Sequence, residues 1–224
     1  MSKFLNSWLL GRMTSPVGGI ECPYITDGLV FWLDGIEKGA YQGSWTDLKG
    51  GVVFTNHGAQ FGSDHVLFSN GAYLQNFSSG AIGSIADGAT IEVAFIRDNL
   101  NGSQILFMQN FSDGELPVFG TSGNTVVFST KVRPSPDIGA ELTVCASLNI
   151  YTKIVNGTQP GMGITDNWGV RPNYGTVIGC RQPSSNNFNG KIYAIRIYNR
   201  SLSAEEMIFN QRIDNARFNL GLSI

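Results

Sequence analysis

Carboxylates and imidazoles do most acid–base work in proteins, and this chain of 224 residues spends its 17 Asp and Glu and 2 His sparsely. Hydrolysis of a glycoside with retention needs two carboxyl groups about 5 Å apart. Glu92 stands alone in an apolar run, and Glu205 and Glu206 fall where a helix cap would use them. His57 and His65 lie beside no nucleophile motif, so a Ser/His/Asp arrangement is not expected. No catalytic residue is assigned.

Rings and amides are better represented. Sugar faces stack on aromatic rings while their hydroxyls need directional polar partners. The segment ending in Thr165-Asp166-Asn167-Trp168-Gly169-Val170-Arg171-Pro172-Asn173-Tyr174 offers both, as does Tyr41-Gln42-Gly43-Ser44-Trp45. The candidate carbohydrate-binding residues are therefore Trp168, Tyr174, Asn167 and Trp45. Asp34, Asp47, Asp64 and Asp166 are turn carboxylates of the kind that hard cations take. Without an EF-hand loop or a dense Asp-x-Asp run they read as solvated turns; no metal or cofactor is assigned, and calcium is the one ion these oxygens would suit.

Charged residues make up only 14% of the chain, against about 25% in ordinary domains, and Gly, Asn, Ser and Thr take their place. A surface so poor in charge repels its neighbours weakly, which suits an assembly or a neutral ligand such as glycan. A net charge of −2 leaves no basic footprint for nucleic acid. No apolar run approaches the roughly 18 residues that span a bilayer, and the run Trp8–Leu10 is too short for a signal-peptide core. Cys22, Cys145 and Cys180 are widely spaced and odd in number, so buried free thiols are expected rather than a disulfide framework or a zinc site.

From Gly28 onward, short β-branched and aromatic runs alternate with Gly, Asn, Asp and Pro, the pattern of an antiparallel sandwich. Strands are expected at 29–33, 52–55, 65–68, 72–74, 90–96, 104–108, 125–129, 176–180 and 190–198, with two more within 142–155. In 90–96, Ile91, Val93 and Phe95 share the core face. In 190–198, Ile195 and Ile197 share the face of Tyr193, while Ile192, Ala194, Arg196 and Tyr198 form a second, mixed face. Asn156-Gly157 marks a tight turn. Ser203-Ala204-Glu205-Glu206 is a capping box, with Leu202 and Met207 as its staple, and Phe209, Ile213 and Ala216 repeat at helical spacing as the packing side. The fold class that follows is all-β: a two-sheet antiparallel sandwich with one short C-terminal helix.

Gly28-Leu29-Val30-Phe31-Trp32-Leu33-Asp34-Gly35 with Trp45-Thr46-Asp47-Leu48-Lys49-Gly50-Gly51 resembles the opening of laminin-G-like domains of the concanavalin A-like lectin/glucanase superfamily. The stretch from Phe188-Asn189-Gly190-Lys191-Ile192 through Tyr198-Asn199-Arg200-Ser201-Leu202-Ser203-Ala204-Glu205-Glu206 is similar to their closing strand and helix, and Val66–Leu74 to an early strand pair. The resemblance covers roughly 28–218. It implies a jelly-roll order with first and last strands adjacent, and it places Trp45 where the family often buries a ring. Related glucanases carry Glu-x-Asp-x-(x)-Glu on one strand, and no such run is present here.

Residues 1–23 lie outside the resemblance, as an arm before the sandwich domain of 24–224. Its Phe4, Trp8, Leu9 and Leu10 need a partner surface and are the candidate docking residues. The expectation is a non-catalytic binding or display module. It would be a structural or accessory subunit of a larger particle such as a bacteriophage virion, partnered by other subunits and by cell-surface glycans, with no nucleic-acid partner and no membrane span. The alternative is a carbohydrate-binding domain of a bacterial surface or secreted protein, with a glycoside hydrolase behind it. The expected location is the virion or the cell surface.

Overall fold

The computed structural model describes residues 22–37, 43–78, 88–109, 118–123, 125–129, 141–149, 152–162, 175–181 and 185–224. Within them, the β-branched and aromatic runs pair into two antiparallel sheets. The first contains β1 (Leu29–Asp34), β4 (Gln60–Phe61), β5 (Val66–Phe68), β7 (Thr90–Arg97), β11 (Thr143–Leu148), β12 (Thr152–Val155), β13 (Thr158–Met162) and β15 (Gly190–Tyr198). Its order is β13-β12-β11-β7-β15-β5-β4. The first half of β15 pairs with β5 and the second half with β1, so the opening and closing strands lie side by side. The second sheet contains β2 (Ser44–Thr46), β3 (Val53–His57), β6 (Tyr73–Asn76), β8 (Ser103–Gln109), β9 (Val118–Ser122), β10 (Thr125–Ser129) and β14 (Thr176–Ile178), in the order β10-β9-β8-β14-β6-β3-β2.

The two sheets close on one apolar core. Phe31 meets Phe54 and Phe107, and Phe95 meets Phe119 and Phe188, at centroid distances of 5.9 to 6.4 Å. Two hydrogen bonds explain the paired opening motifs. Asp47 Oδ1 accepts from the Trp32 amide at 2.7 Å, and the Asp34 carbonyl accepts from Trp45 Nε1 at 3.1 Å. The Asn156-Gly157 turn forms with both residues at positive φ, 47° and 76°, which Asn tolerates and Gly adopts at no steric cost.

A bulge between Ile192 and Ala194 corrects the expected phase of the closing strand. One extra residue shifts the alternation, so Ile192 joins Ile195 and Ile197 in the inter-sheet core, and Tyr193 turns outward with Ala194. The helix α1 (Ala204–Arg217) begins as expected. The Ser203 hydroxyl accepts from the Glu206 amide at 3.2 Å, Glu206 Oε2 accepts from the Ser203 amide at 2.9 Å, and Leu202 and Met207 are both buried at its entrance. Its orientation is the second correction. The buried stripe is Met207, Asn210, Gln211 and Asp214, whereas Phe209 and Ile213 are partly buried and Ala216 is exposed. The helix turns its amides and a carboxylate toward the sheet because the sheet presents Glu92 and Arg196 there. Among the described residues no helix is long and apolar enough to cross a membrane. Cys22, Cys145 and Cys180 are free and buried, and burial pushes the Cys180 thiol up to about 11.

Candidate functional site

The outer faces of the two sheets differ, and each holds part of the polar chemistry of the chain. On the first sheet, register aligns a row across five strands: Trp32 opposite Arg196, Arg196 opposite Glu92, Glu92 opposite Ser147, and Ser147 opposite Ile154. Helix α1 lies over this row. Arg196 donates to Glu92 Oε2 at 2.9 Å and, in a two-pronged contact, to Asp214 Oδ1 and Oδ2 at 2.8 and 2.6 Å. Its guanidinium stacks on the Tyr24 ring at 3.9 Å, and Tyr24 donates to Asp214 Oδ1 at 2.8 Å. Ser147 donates to Glu92 Oε1, Asn210 to Glu92 Oε2, and Gln211 to Ser147, at 2.8 to 2.9 Å. The Ile25 amide donates to Asn210 Oδ1, which ties the segment just before β1 to the helix.

All these side chains are buried, and their ionisation follows from that. Burial pushes the Glu92 carboxyl up, and the facing Arg196 pulls only partly against it. Burial alone would lower Arg196, but the Asp214 and Glu92 carboxylates beside it hold it well above its ordinary value. Tyr24 and Tyr198 are likewise raised, by burial first and then by Asp214 and Glu92 respectively. Glu92, the lone strand carboxylate of the sequence, thus serves as a bracket between two sheet strands and the helix. Its signal was legible: a charge within an apolar strand, an arginine on the mixed face of the closing strand, and Asn210, Gln211 and Asp214 on one side of the helix.

The turn carboxylates also face inward. Asp34 accepts from the Ile36 and Glu37 amides, from Trp32 Nε1 and from Arg217. Asp47 accepts from the amides of Trp32, Lys49 and Gly50. Burial raises both carboxyls, against Arg217 for Asp34 and against the backbone amides for Asp47. Asp64 is partly buried and pairs with His65 Nδ1 at 2.6 Å. Among the described residues, no three His, Cys, Asp or Glu side chains cluster as a metal site would require. Asp166 lies outside the described residues.

Among the described residues no helix packs on the second sheet, and none of its seven strands contains Asp, Glu, Lys or Arg. Its outward side chains follow from register. One row runs Ser44–Thr55–Gln75–Val177–Met108 across β2, β3, β6, β14 and β8. On one side of it His57 and Tyr73 are directly opposed, with rings stacked 4.5 Å apart and 8° from parallel. On the other, Thr46 faces Val53, and Phe77 follows β6 on the side of Tyr73 and Gln75. Phe77 is 59% exposed and Val53 48%. A Cβ on Gly175 would fall 3.0 Å from Phe77 Cδ1 and 2.6 Å from the Asn76 carbonyl oxygen, so glycine is what lets this ring lie against β14. Asn76 Nδ2 donates to the Val53 carbonyl at 2.6 Å and bridges the two strands beneath the ring. Among the described residues, the side chains of Ser44, Thr46, Thr55 and Gln75 hydrogen-bond to no protein group, and His57 Nε2 is buried without a partner.

Of the ring candidates read from the sequence, Trp45 is corrected. It is fully buried between the sheets and offers no face to solvent. Trp168, Tyr174 and Asn167 lie outside the described residues, as do Phe4, Trp8, Leu9 and Leu10. Tyr174 immediately precedes Gly175 in the chain. Sequence reasoning missed Phe77 and Tyr73 as platform candidates because Phe77 follows a strand rather than lying in an obvious loop. The Phe-Ser-Ser after Gln75-Asn76 was the available signal.

The fold and these two faces define a two-sheet β sandwich, helix-bracketed on one side and, on the other, built of strands without a charged residue. No family model matches the chain, and no curated protein does. Solved structures match in fold. The Trypanosoma rangeli sialidase in complex with sialic acid superposes with a TM-score of 0.62 at 17% identity, over 92% of this chain and 37% of that one. The binding domain of Paraclostridial Mosquitocidal Protein 1 gives 0.59 at 16% identity, over 86% of this chain and 53% of that one. The botulinum neurotoxin serotype G binding domain gives 0.57 at 11% identity, over 84% and 51%. The chain therefore spans about a third to a half of the length of the structures it matches, and at these identities the likeness is one of fold.

Proposed function

We propose that this chain is a non-catalytic glycan-binding module of the laminin-G-like type, with its ligand on the outer side of β2, β3 and β6. The observation that carries the reading is that rings, the His57–Tyr73 stack and the 59%-exposed Phe77, share the outward side of strands without a charged residue with the hydroxyls and amide of Ser44, Thr46, Thr55 and Gln75. A sugar needs these two features together, an apolar face to stack on and directional partners for its hydroxyls. The matching structures are in keeping with this, since one is a sialidase in complex with sialic acid and two are binding domains. Glu92, meanwhile, is occupied in holding the helix to the sheet.

A glycan array with wild-type protein and the Phe77→Ala and Trp168→Ala variants tests the reading. Reproducible signal on wild type that Phe77→Ala removes supports it, and a blank wild-type array overturns it. The finer context, display on a larger particle such as a virion, is supported by the low charge of the chain and by the apolar Phe4, Trp8, Leu9 and Leu10. Removing residues 1–21 is then expected to leave a folded domain that no longer joins its particle; undiminished assembly of the truncated protein refutes that context.

A further inference from the structure

We infer that Asn101-Gly102, in the turn between β7 and β8, is a site of spontaneous covalent modification that the fold leaves competent while it restrains the pairs Asn70-Gly71, Asn156-Gly157 and Asn189-Gly190. Both reacting groups belong to the chain. The Gly102 amide nitrogen attacks Asn101 Cγ, the new N–Cγ bond closes a succinimide, and the Cγ–Nδ2 bond breaks to release ammonia, which carries off the amide proton. Water then adds across one imide C–N bond and leaves aspartate or isoaspartate, with no change of oxidation state. Glycine favours the first step because no Cβ shields its nitrogen.

Hydrogen bonding and backbone conformation separate these pairs. At Asn156-Gly157 both reacting groups are occupied: Asn156 Oδ1 accepts from the Cys145 amide at 2.8 Å, its Nδ2 donates to the Thr143 carbonyl at 3.2 Å, and the Gly157 amide donates to Gln211 Oε1 at 2.9 Å. Gly190 is buried in β15 between β5 and β7, where even a Cβ would fall 2.1 Å from the Ile96 carbonyl oxygen. Asn70 is exposed, but it and Gly71 hold φ of 52° and 80° in a turn closed by the Ala72 amide on the Ser69 carbonyl at 2.9 Å. Ring closure there twists the backbone out of its left-handed conformation and breaks that bond. Asn101 differs on each count. It and Gly102 are exposed, its φ is not positive, and among the described residues neither its side chain nor the Gly102 amide donates to or accepts from a protein group.

The turn also joins the loops at one end of the two sheets. The buried Gln104 donates from Nε2 to the Asn99 and Asn101 carbonyls at 3.2 and 3.4 Å, and its Oε1 accepts from the Asn189 amide at 3.3 Å. The Gly102 carbonyl accepts from the Gly123 amide at 3.1 Å, and the Gly123 carbonyl accepts from the buried Arg97. Isoaspartate runs the main chain through the former side-chain carbon and lengthens it by a methylene, so the carbonyl of residue 101 leaves Gln104 and the turn is displaced from Gly123. Either product also sets a carboxylate on this turn.

The test is peptide mapping by mass spectrometry of the folded full chain aged at mildly alkaline pH, beside the same chain aged in urea, with an isoaspartyl methyltransferase to count isoaspartate. In the folded chain Asn101 is expected to convert about tenfold faster than Asn156 and Asn189, the factor that a local opening cost of about 1.4 kcal/mol supplies, with Asn70 between them. In urea the rates are expected to converge, because each Asn then meets an unrestrained glycine. Asn101→Gln, whose longer side chain closes its ring more slowly, is expected to keep the circular dichroism and lose the leading product. Its melting midpoint is expected to hold with age while that of the wild type falls. Asn70, Asn156 or Asn189 leading in the folded chain overturns the assignment, as does absence of conversion at Asn101. An unchanged ranking in urea also overturns it, since flanking residues rather than the fold would then set the order. Equal ageing of wild type and Asn101→Gln overturns the coupling to Gln104 and Gly123.

Discussion

The two outer faces of this sandwich solve opposite problems. The first sheet places Glu92 and Arg196 side by side on its outer face and must remove them from water without leaving either unpaired. It does so by turning the polar side of α1 inward, so that Asp214, Asn210 and Gln211 complete the hydrogen bonding. The second sheet carries no ionised strand residue, and among the described residues its Ser44, Thr46, Thr55 and Gln75 side chains make no hydrogen bond to protein. A fully partnered polar cluster rigidifies and specifies one docking geometry, whereas unengaged neutral groups beside a ring are what a ligand can use. The distribution of charge between the sheets separates the face closed by the helix from the face whose strands carry no charge.

Substitutions should expose this contrast, and the largest effect belongs to the closed face. Arg196→Ala leaves Glu92 and Asp214 buried without their cation. A loss of about 3–5 kcal/mol is expected, read as a drop in the urea midpoint; a shift no larger than that of a surface substitution would mean the bracket contributes little. Next comes the helix entrance. Ser203→Ala removes the acceptor for the Glu206 amide and is expected to lower stability by about 1 kcal/mol, measurable by thermal denaturation, with Ser203→Asp restoring most of it.

The pH dependence is smaller and has a definite sign. Because burial raises the Glu92 carboxyl above its unfolded value, the folded state binds that proton more readily than the unfolded chain does. The stability this group contributes is complete below the ordinary glutamate range of about 4.3 and is lost as pH rises through the raised folded value. Asp34 and Asp47 are raised in the same direction. Glu92→Gln should therefore flatten part of the fall in unfolding free energy between mildly acid and neutral pH, and an unchanged slope would show that ionising Glu92 costs nothing in this network. The smallest effects belong to the uncharged strands β3 and β6, where Thr55→Ala and Gln75→Ala should change stability by no more than about 0.5 kcal/mol. A larger loss would mean these side chains are part of the scaffold, and the contrast between the faces would collapse.

Much of the architecture is legible in the sequence itself. The strands at 29–33, 90–96 and 190–198 and the capping box at Ser203 were read correctly, because they rest on local periodicity and on hydrogen bonds between residues close in the chain. The short strands β2, β4, β9 and β13 were not singled out, since two to five residues carry too little pattern to stand apart from a turn. The phase of α1 was misread for a different reason. Apolar spacing selects Phe209 and Ile213, but the buried side is chosen by the charge waiting on the sheet.

By itself, then, the chain determined its fold class, the start of its helix and its Asn156-Gly157 turn, all properties of neighbouring residues and their backbone preferences. Only the tertiary structure decided which carboxylates pair and which rings are buried. Glu92 and Arg196 lie 104 residues apart and become a pair through strand register, and the bulge at Ile192–Ala194 sends Tyr193 outward and Ile192 inward. Trp45 and Phe77 are both aromatic residues flanked by small polar ones. Packing buries the first under the second sheet and leaves the second on its surface, because burial is a property of where two sheets close and not of the residues on either side.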